Sequence, residues 1–100
     1  MLIVTGRLEI NAEDVPQARA AIQTMMEETQ KEAGCHVYEF GQIVGSDTMF
    51  RVYEEWDDEA ALAAHIKAPH MGVFRAALGE LRIISRDIAK FDGGEKQSLG

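Results

Sequence analysis

Two hydrophobic periods succeed one another along the chain, and their order leaves few folds open. "LIVTGRLEI" alternates: Leu2, Val4, Leu8 and Ile10 point one way, and Ile3, Thr5, Arg7 and Glu9 the other. That is the period of a half-buried strand. Gly6 interrupts the apolar face and marks a bulge or a close approach of another backbone. The period then lengthens. Val15, Ala18, Ile22, Met25, Met26, Thr29 and Ala33 recur at three- and four-residue steps, the stripe of an amphipathic helix. Asn11 or Asp14 is placed to cap it, Pro16 suits its first turn, and Gly34 stands at its end.

"CHVYEFGQIVGSDTMFRVYEEW" (35–56) returns to the short period on both sides of Gly45, Ser46 and Asp47, so it reads as a hairpin. With Ser46 and Asp47 as a two-residue loop, Gly45 pairs with Thr48. Val37, Glu39, Gly41 and Ile43 then share a face with Trp56, Glu54, Val52 and Phe50. His36, Tyr38 and Phe40 take the opposite face, and a slip of one residue reverses the assignment. "DDEAALAAHIKA" reads as a second helix capped by Asp57 or Asp58, and Pro69 ends it and opens a third. "ELRIISRDIAKF" alternates as a fourth strand, and 92–100 is a Gly-rich polar segment with the composition of a flexible C-terminal tail.

The order β-α-β-β-α-α-β over 1–91 specifies an α+β domain. It is the ferredoxin-like split βαβ arrangement, a four-stranded antiparallel sheet with helices on one face. The other face is expected to carry Ile3, Tyr38, Phe40, Tyr53 and Ile84, with Met49 near its edge. Such a patch is covered most simply by a second copy, so a homodimer with sheets back to back is expected.

Composition narrows the partners. The net charge of −7 argues against nucleic acid and anionic membrane surfaces. It also disfavours anionic ligands, because few basic residues fall near the expected cleft. No apolar run approaches the ~20 residues of a bilayer span. The apolar opening "MLIV" stops at Thr5, so no signal segment is expected, and with the single cysteine, Cys35, a reduced cytoplasmic setting is expected. Cys35 reads as a small buried hydrophobe.

The segment 54–74 concentrates the chemistry. Glu54 faces the helices and requires a partner or a raised pKa. His65 lies one turn after Leu62 on the same stripe, so a Glu54–His65 pair would orient a general base. The alternative is a core histidine tying helix to strand. His70, in the first turn after Pro69, is either a further acid–base group or a local polar link. Glu39 opposite Glu54 would raise one carboxyl pKa. Phe50, Val52, Trp56, Leu62, Ile66 and Phe74 make an apolar wall suited to an aromatic ligand, although Trp56 also suits the core. The five-residue step from His65 to His70 crosses a proline and is not a helical zinc pair, so no metal is expected.

"GCHVYEF" followed by "YEEWDDEAALAAHIKAPHMGVF" resembles the antibiotic biosynthesis monooxygenase (ABM) family. The residues that carry the likeness are Gly34-Cys35 with Tyr38, Glu54-x-Trp56, Ala61-Leu62-x-x-His65, Pro69-His70 and Phe74. The resemblance implies a ferredoxin-like dimeric α+β barrel with a ligand cleft between each sheet and its own helices. Activities in the family include cofactor-independent oxidation of polycyclic phenols and quinols, heme breakdown, and isomerisation of a phosphorylated sugar. The heme-degrading pattern does not match. Thr5, Gly6 and Arg7 occupy the region of its first-strand asparagine, His65 its helical tryptophan, and Arg75 the region of its ligating histidine. Against the phenol-oxidising branch, Trp56 matches, while Val52 and Leu62 replace an asparagine and a tyrosine. The resemblance thus implies a cofactor-independent monooxygenase acting with O₂ on a small aromatic or quinol-type substrate. An isomerase of a small carbonyl metabolite and a non-catalytic small-molecule-binding dimer are the alternatives.

Overall fold

Each helix begins where a side chain or a proline compensates for missing backbone partners. Asn11 accepts the N–H of Glu13 at 3.1 Å and starts a 3-10 turn (Ala12–Asp14) that leads into α1 (Val15–Thr29), with Pro16 in its first turn. Asp58 caps α2 (Glu59–Ile66) by accepting the N–H of Ala61 at 2.9 Å, and Pro69 opens α3 (Pro69–Gly79). Asp14 makes no cap bond; it accepts instead from the Arg82 backbone N–H at 2.9 Å and its guanidinium Nε at 3.1 Å. The start of α1 is thereby tied to the chain entering the last strand.

The computed structural model describes all 100 residues. β1 (Leu2–Ile10), β2 (Cys35–Gln42), β3 (Met49–Trp56) and β4 (Ile83–Asp92) form one sheet in the order β2-β3-β1-β4, and each neighbouring pair is antiparallel. This is the ferredoxin-like α+β arrangement expected from the element order. No helix is long and apolar enough to cross a membrane. The core lies between the sheet and the helices, where Leu8, Ile10, Ile22, Met25, Phe50, Trp56, Leu62 and Phe74 pack together.

The hairpin register differs by one residue from the expected one. Ile43 N–H donates to the Met49 carbonyl, so the loop is 44–48 rather than two residues. The Ser46 hydroxyl oxygen stabilises this longer turn by accepting the N–H groups of Thr48 and Met49 at 3.2 and 3.0 Å. Tyr38 therefore pairs with Glu54, Phe40 with Val52, and Glu39 with Tyr53. Tyr38 and Phe40 face the helices, and Tyr38 is 3% exposed. Glu39 does not oppose Glu54, and Gly41 lies opposite Arg51 rather than Val52.

A second difference concerns the end of α1. The helix stops at Thr29, a turn before Ala33, and the chain folds back through bonds from Lys31 and Glu32 N–H to the carbonyls of Glu28 and Thr29. Gly34 has φ +80°, and a Cβ there would stand 2.7 Å from the Ala61 side chain. Glycine thus permits both the left-handed turn and its close packing on α2. The turn places Glu32 beside α2 and α3.

The outer face of the sheet is more mixed than expected, because Tyr38 and Phe40 are absent from it. Ile3 there lies between Glu55 and Phe91, and Thr5 lies between Tyr53 and Ala89. Residues just beyond β4 run against this face: Gly93 N–H donates to the Met1 carbonyl at 2.8 Å, and Lys96 pairs with the Glu55 carboxylate at 3.1 Å.

Gly6 is explained by a close approach. A Cβ there would meet the Asp87 carbonyl oxygen at 2.1 Å and the Ile88 Cα at 2.5 Å, both backbone atoms of β4. The strand leans over β1 at this point and walls one side of the helix-facing surface. Gly6→Ala is expected to destabilise the fold by about 2 kcal/mol or more, because a backbone cannot yield as a side-chain tip can. A thermal melt of the variant matching the parent would contradict this.

Candidate active site

A cleft of about 810 Å³ opens between the sheet and α2–α3. Its floor is set by strand alternation. Val4 and Leu8 of β1, Val52 and Glu54 of β3, Tyr38 and Phe40 of β2, and Ile88 of β4 all present side chains to it. Leu62, His65 and Ile66 of α2 and Met71, Phe74 and Leu78 of α3 close it from above. A largely apolar cleft with a few polar groups is the usual form of a small-molecule site.

Tyr38, Glu54 and His65 are its polar groups that do not carry a fixed positive charge. His65 is 3% exposed and does not pair with Glu54 as expected. Its Nδ1–H donates to Glu32 Oε2 at 2.6 Å, and the same oxygen accepts from His70 Nε2 at 2.7 Å. The proton on Nδ1 leaves Nε2 of His65 with the free lone pair, so Nε2 is the nitrogen available to a ligand in the cleft. Trp56 packs on one side of the imidazole, ring centres 4.7 Å apart, and Tyr38 on another at 5.5 Å. The ring is fixed in position by packing and in orientation by the carboxylate.

Glu54 is bound by Trp56, whose Nε1–H donates to its Oε1 at 2.9 Å. Burial pushes the carboxyl up to about 7, against the pull of the Trp56 bond, and the charge of Glu32 adds to the rise. Glu54 is therefore divided between acid and carboxylate near neutral pH. Burial, with the charge of Glu54 beside it, drives the Tyr38 phenol far above its ordinary value. It remains a neutral O–H on the cleft lining, free to donate to a ligand. Cys35 is driven up to about 11 by burial and then by Glu32 and Glu54, so its thiol is unreactive.

The structure gathers most of the expected residues. Glu54, His65, Val52, Leu62, Ile66 and Phe74 all line the cleft. Trp56 does not; it is fully buried behind His65 and supports it. Phe50 borders a separate depression against α1, and His70 meets the site through Glu32. Glu32 and Tyr38 were not foreseen, and neither were the cations Arg75, Arg86 and Lys90 on the cleft lining. Glu32, His65 and His70 are also the one group whose donor atoms, all within 4.8 Å of one another, could share a metal ion. At 2.6 and 2.7 Å from the two nitrogens, the carboxylate oxygen already serves as a complete hydrogen-bond acceptor.

The raised Glu54 pKa has a consequence for stability. A carboxyl with pKa about 7 when folded and 4.5 as its reference value binds its proton more tightly in the folded state. Its contribution is fully present below pH ~4.5 and is lost as pH rises through ~7. Glu54→Gln keeps an acceptor for Trp56 and carries no charge. It is expected to gain stability relative to the parent at pH 8, on the order of 3 kcal/mol at most, and much less at pH 5. Denaturant unfolding at the two pH values checks this, and a difference independent of pH would contradict it.

Comparison with known proteins agrees with this architecture. Residues 1–77 match the family model described as antibiotic biosynthesis monooxygenase. An uncharacterized protein of Synechocystis is 26% identical over 98% of this chain and 67% of its own length. YcnE of Bacillus subtilis, whose name carries a provisional monooxygenase assignment, is 24% identical over 95% of this chain and all of its own. A crystal structure from Deinococcus radiodurans, described provisionally as an antibiotic biosynthesis monooxygenase, superposes with TM-score 0.91 at 25% identity, covering 100% of this chain and 99% of that one. With the family model covering three quarters of the sequence and the fold shared end to end, the chain belongs to the antibiotic biosynthesis monooxygenase family.

Proposed function

We propose that this protein is a cofactor-independent monooxygenase that oxidises a small phenol or quinol with O₂. The observation that carries this reading is the Glu32–His65 pair, a buried imidazole with one nitrogen engaged and the other available to an apolar cleft. A phenolic O–H seated against His65 gives its proton to Nε2, and Glu32 stabilises the imidazolium that results. Tyr38 donates to the oxygen that becomes anionic, and the apolar walls exclude water.

The anion is electron-rich enough to pass one electron to O₂. The resulting radical and superoxide combine at a ring carbon to give a peroxide anion. That carbon's hydrogen passes as a proton to the terminal oxygen as the O–O bond breaks, leaving a carbonyl oxygen on the ring and releasing the other oxygen as hydroxide, which becomes water on taking the proton held by His65. For a quinol the sum is quinol plus O₂ giving hydroxyquinone plus water. All four electrons come from the substrate, so no separate reductant is consumed.

The test is O₂ uptake by the metal-free protein with a panel of anthrones and naphthohydroquinones, with ¹⁸O₂ to follow the transferred atom. His65→Ala is expected to lower kcat by about 10² or more, the usual range for a general base, and Glu32→Gln by a smaller factor. Absence of O₂ uptake with every compound by folded protein would remove the reading. Isomerised product without O₂ consumption, or binding without turnover, would replace it with one of the two alternatives.

We further propose a homodimer formed through the outer sheet face. Phe91 is 55% and Ile84 58% exposed, and Ile3 and Tyr53 lie partly covered nearby. Sedimentation at micromolar concentration is expected to give twice the monomer mass, and a stable monomer would contradict this.

A further inference from the structure

The charge of the cleft is opposite to that of the molecule. The chain has 17 acidic and 10 basic residues, yet the cleft lining holds Arg75, Arg86 and Lys90 against Glu54 alone. Of the three cations, Lys90 is held by the Glu59 carboxylate at 2.9 Å, and Arg75 donates to the Ile66 carbonyl at 3.2 Å. Arg86 stands on β4 opposite Leu8 and takes part in no ion pair or side-chain hydrogen bond. Its neighbour Asp87 is turned by strand alternation to the other face, opposite Arg7. The guanidinium is therefore left at the cleft without a protein anion.

We propose that the ligand of this cleft is an aromatic acid whose anionic substituent is received by Arg86, with Lys90 and Arg75 flanking it. The proposal rests on reading the cleft as the substrate site and adds the substrate class. The sheet sets the scale. β1 lies between β3, which carries Glu54, and β4, which carries Arg86 and Lys90. Glu54 lies level with Val4 and Arg86 level with Leu8, so their backbones are two strand spacings (about 10 Å) apart across the sheet and four residues (about 13 Å) apart along it. The long arginine side chain covers part of that distance and a fused bicyclic or tricyclic ring the rest, with its hydroxyl toward His65 and its acid toward Arg86. A planar guanidinium binds a carboxylate through two parallel bonds, so it fixes which end of the ring reaches the imidazole.

The experiment is anaerobic calorimetry at low salt with 1,4-dihydroxy-2-naphthoate and its neutral carboxamide, which differ in charge and little in shape. The parent protein is expected to bind the acid more tightly than the amide by a factor of up to about fivefold, as a partly solvated charge pair allows. Arg86→Gln abolishes that preference. Arg86→Lys retains part of it, and Arg51→Gln, an equal change of charge on the opposite face, retains all of it. Equal affinity for the two probes, binding of neither at millimolar concentration, or a preference that survives Arg86→Gln overturns the proposal. Binding is measured without O₂, so it is separated from turnover. An acid preference in a protein that never consumes O₂ upholds the ligand class and removes the monooxygenase, whereas equal O₂-dependent turnover and KM for acid and amide does the reverse.

Discussion

One carboxylate oxygen joins three separate parts of the chain at the site. Glu32 Oε2, from the turn after α1, accepts from His65 on α2 and His70 on α3. A charged acceptor with two imidazole donors in a partly desolvated place binds more strongly than a neutral contact. The arrangement makes the α1–β2 turn a structural member of the site. It also determines the chemistry left over: one nitrogen of His65 is occupied, and the other is available to the cleft. Gly34 underlies this geometry, since its left-handed backbone brings the turn against Ala61. Pro69 contributes from the other side by starting α3 one residue before His70.

The second determinant is the unequal environment of two carboxylates. Glu32 is placed to accept two imidazole donors, whereas Glu54 has only the Trp56 indole and sits deeper. Burial and the neighbouring charge of Glu32 hold Glu54 near its protonation midpoint at neutral pH. The two groups thus serve different roles: Glu32 fixes an imidazole, and Glu54 can give or take a proton beside the ligand. Tyr38, across the strand pair from Glu54, adds a phenol that stays protonated. These polar groups lie at one end of an apolar cleft whose other end is cationic.

The element order, the pocket-facing strand β3 and the buried stripe of α2 were legible in the sequence because each depends on local periodicity. Glu54, Leu62 and His65 followed from it directly. The hairpin register did not, because it depends on how Ser46 organises a five-residue loop. Alternation within β2 carried the missing signal: Tyr38 and Phe40 are apolar, whereas Glu39 and Gly41 are not, and the bulky pair faces inward. Glu32 was hidden for a different reason. At helical spacing it falls at the border of the apolar stripe, three residues after Thr29 and seven after Met25, where a glutamate reads as a rim residue; only the early end of α1 turns it toward His65. Arg86 and Lys90 alternate plainly along β4, but the cleft they line is defined only once β4 takes its place beside β1. Sequence separation, not weak local pattern, concealed them.

The proposed chemistry requires His65 to carry its proton on Nδ1, bound to Glu32, with Nε2 left as the base. Two-bond ¹H–¹⁵N correlation of the histidine rings, recorded at a pH where His65 is neutral, reports this directly. The Nδ1–H form is expected for His65 in the parent, and its loss in Glu32→Ala. The Nε2–H form in the parent protein would contradict it, because the cleft-facing nitrogen would then hold a proton and could not accept one from a substrate.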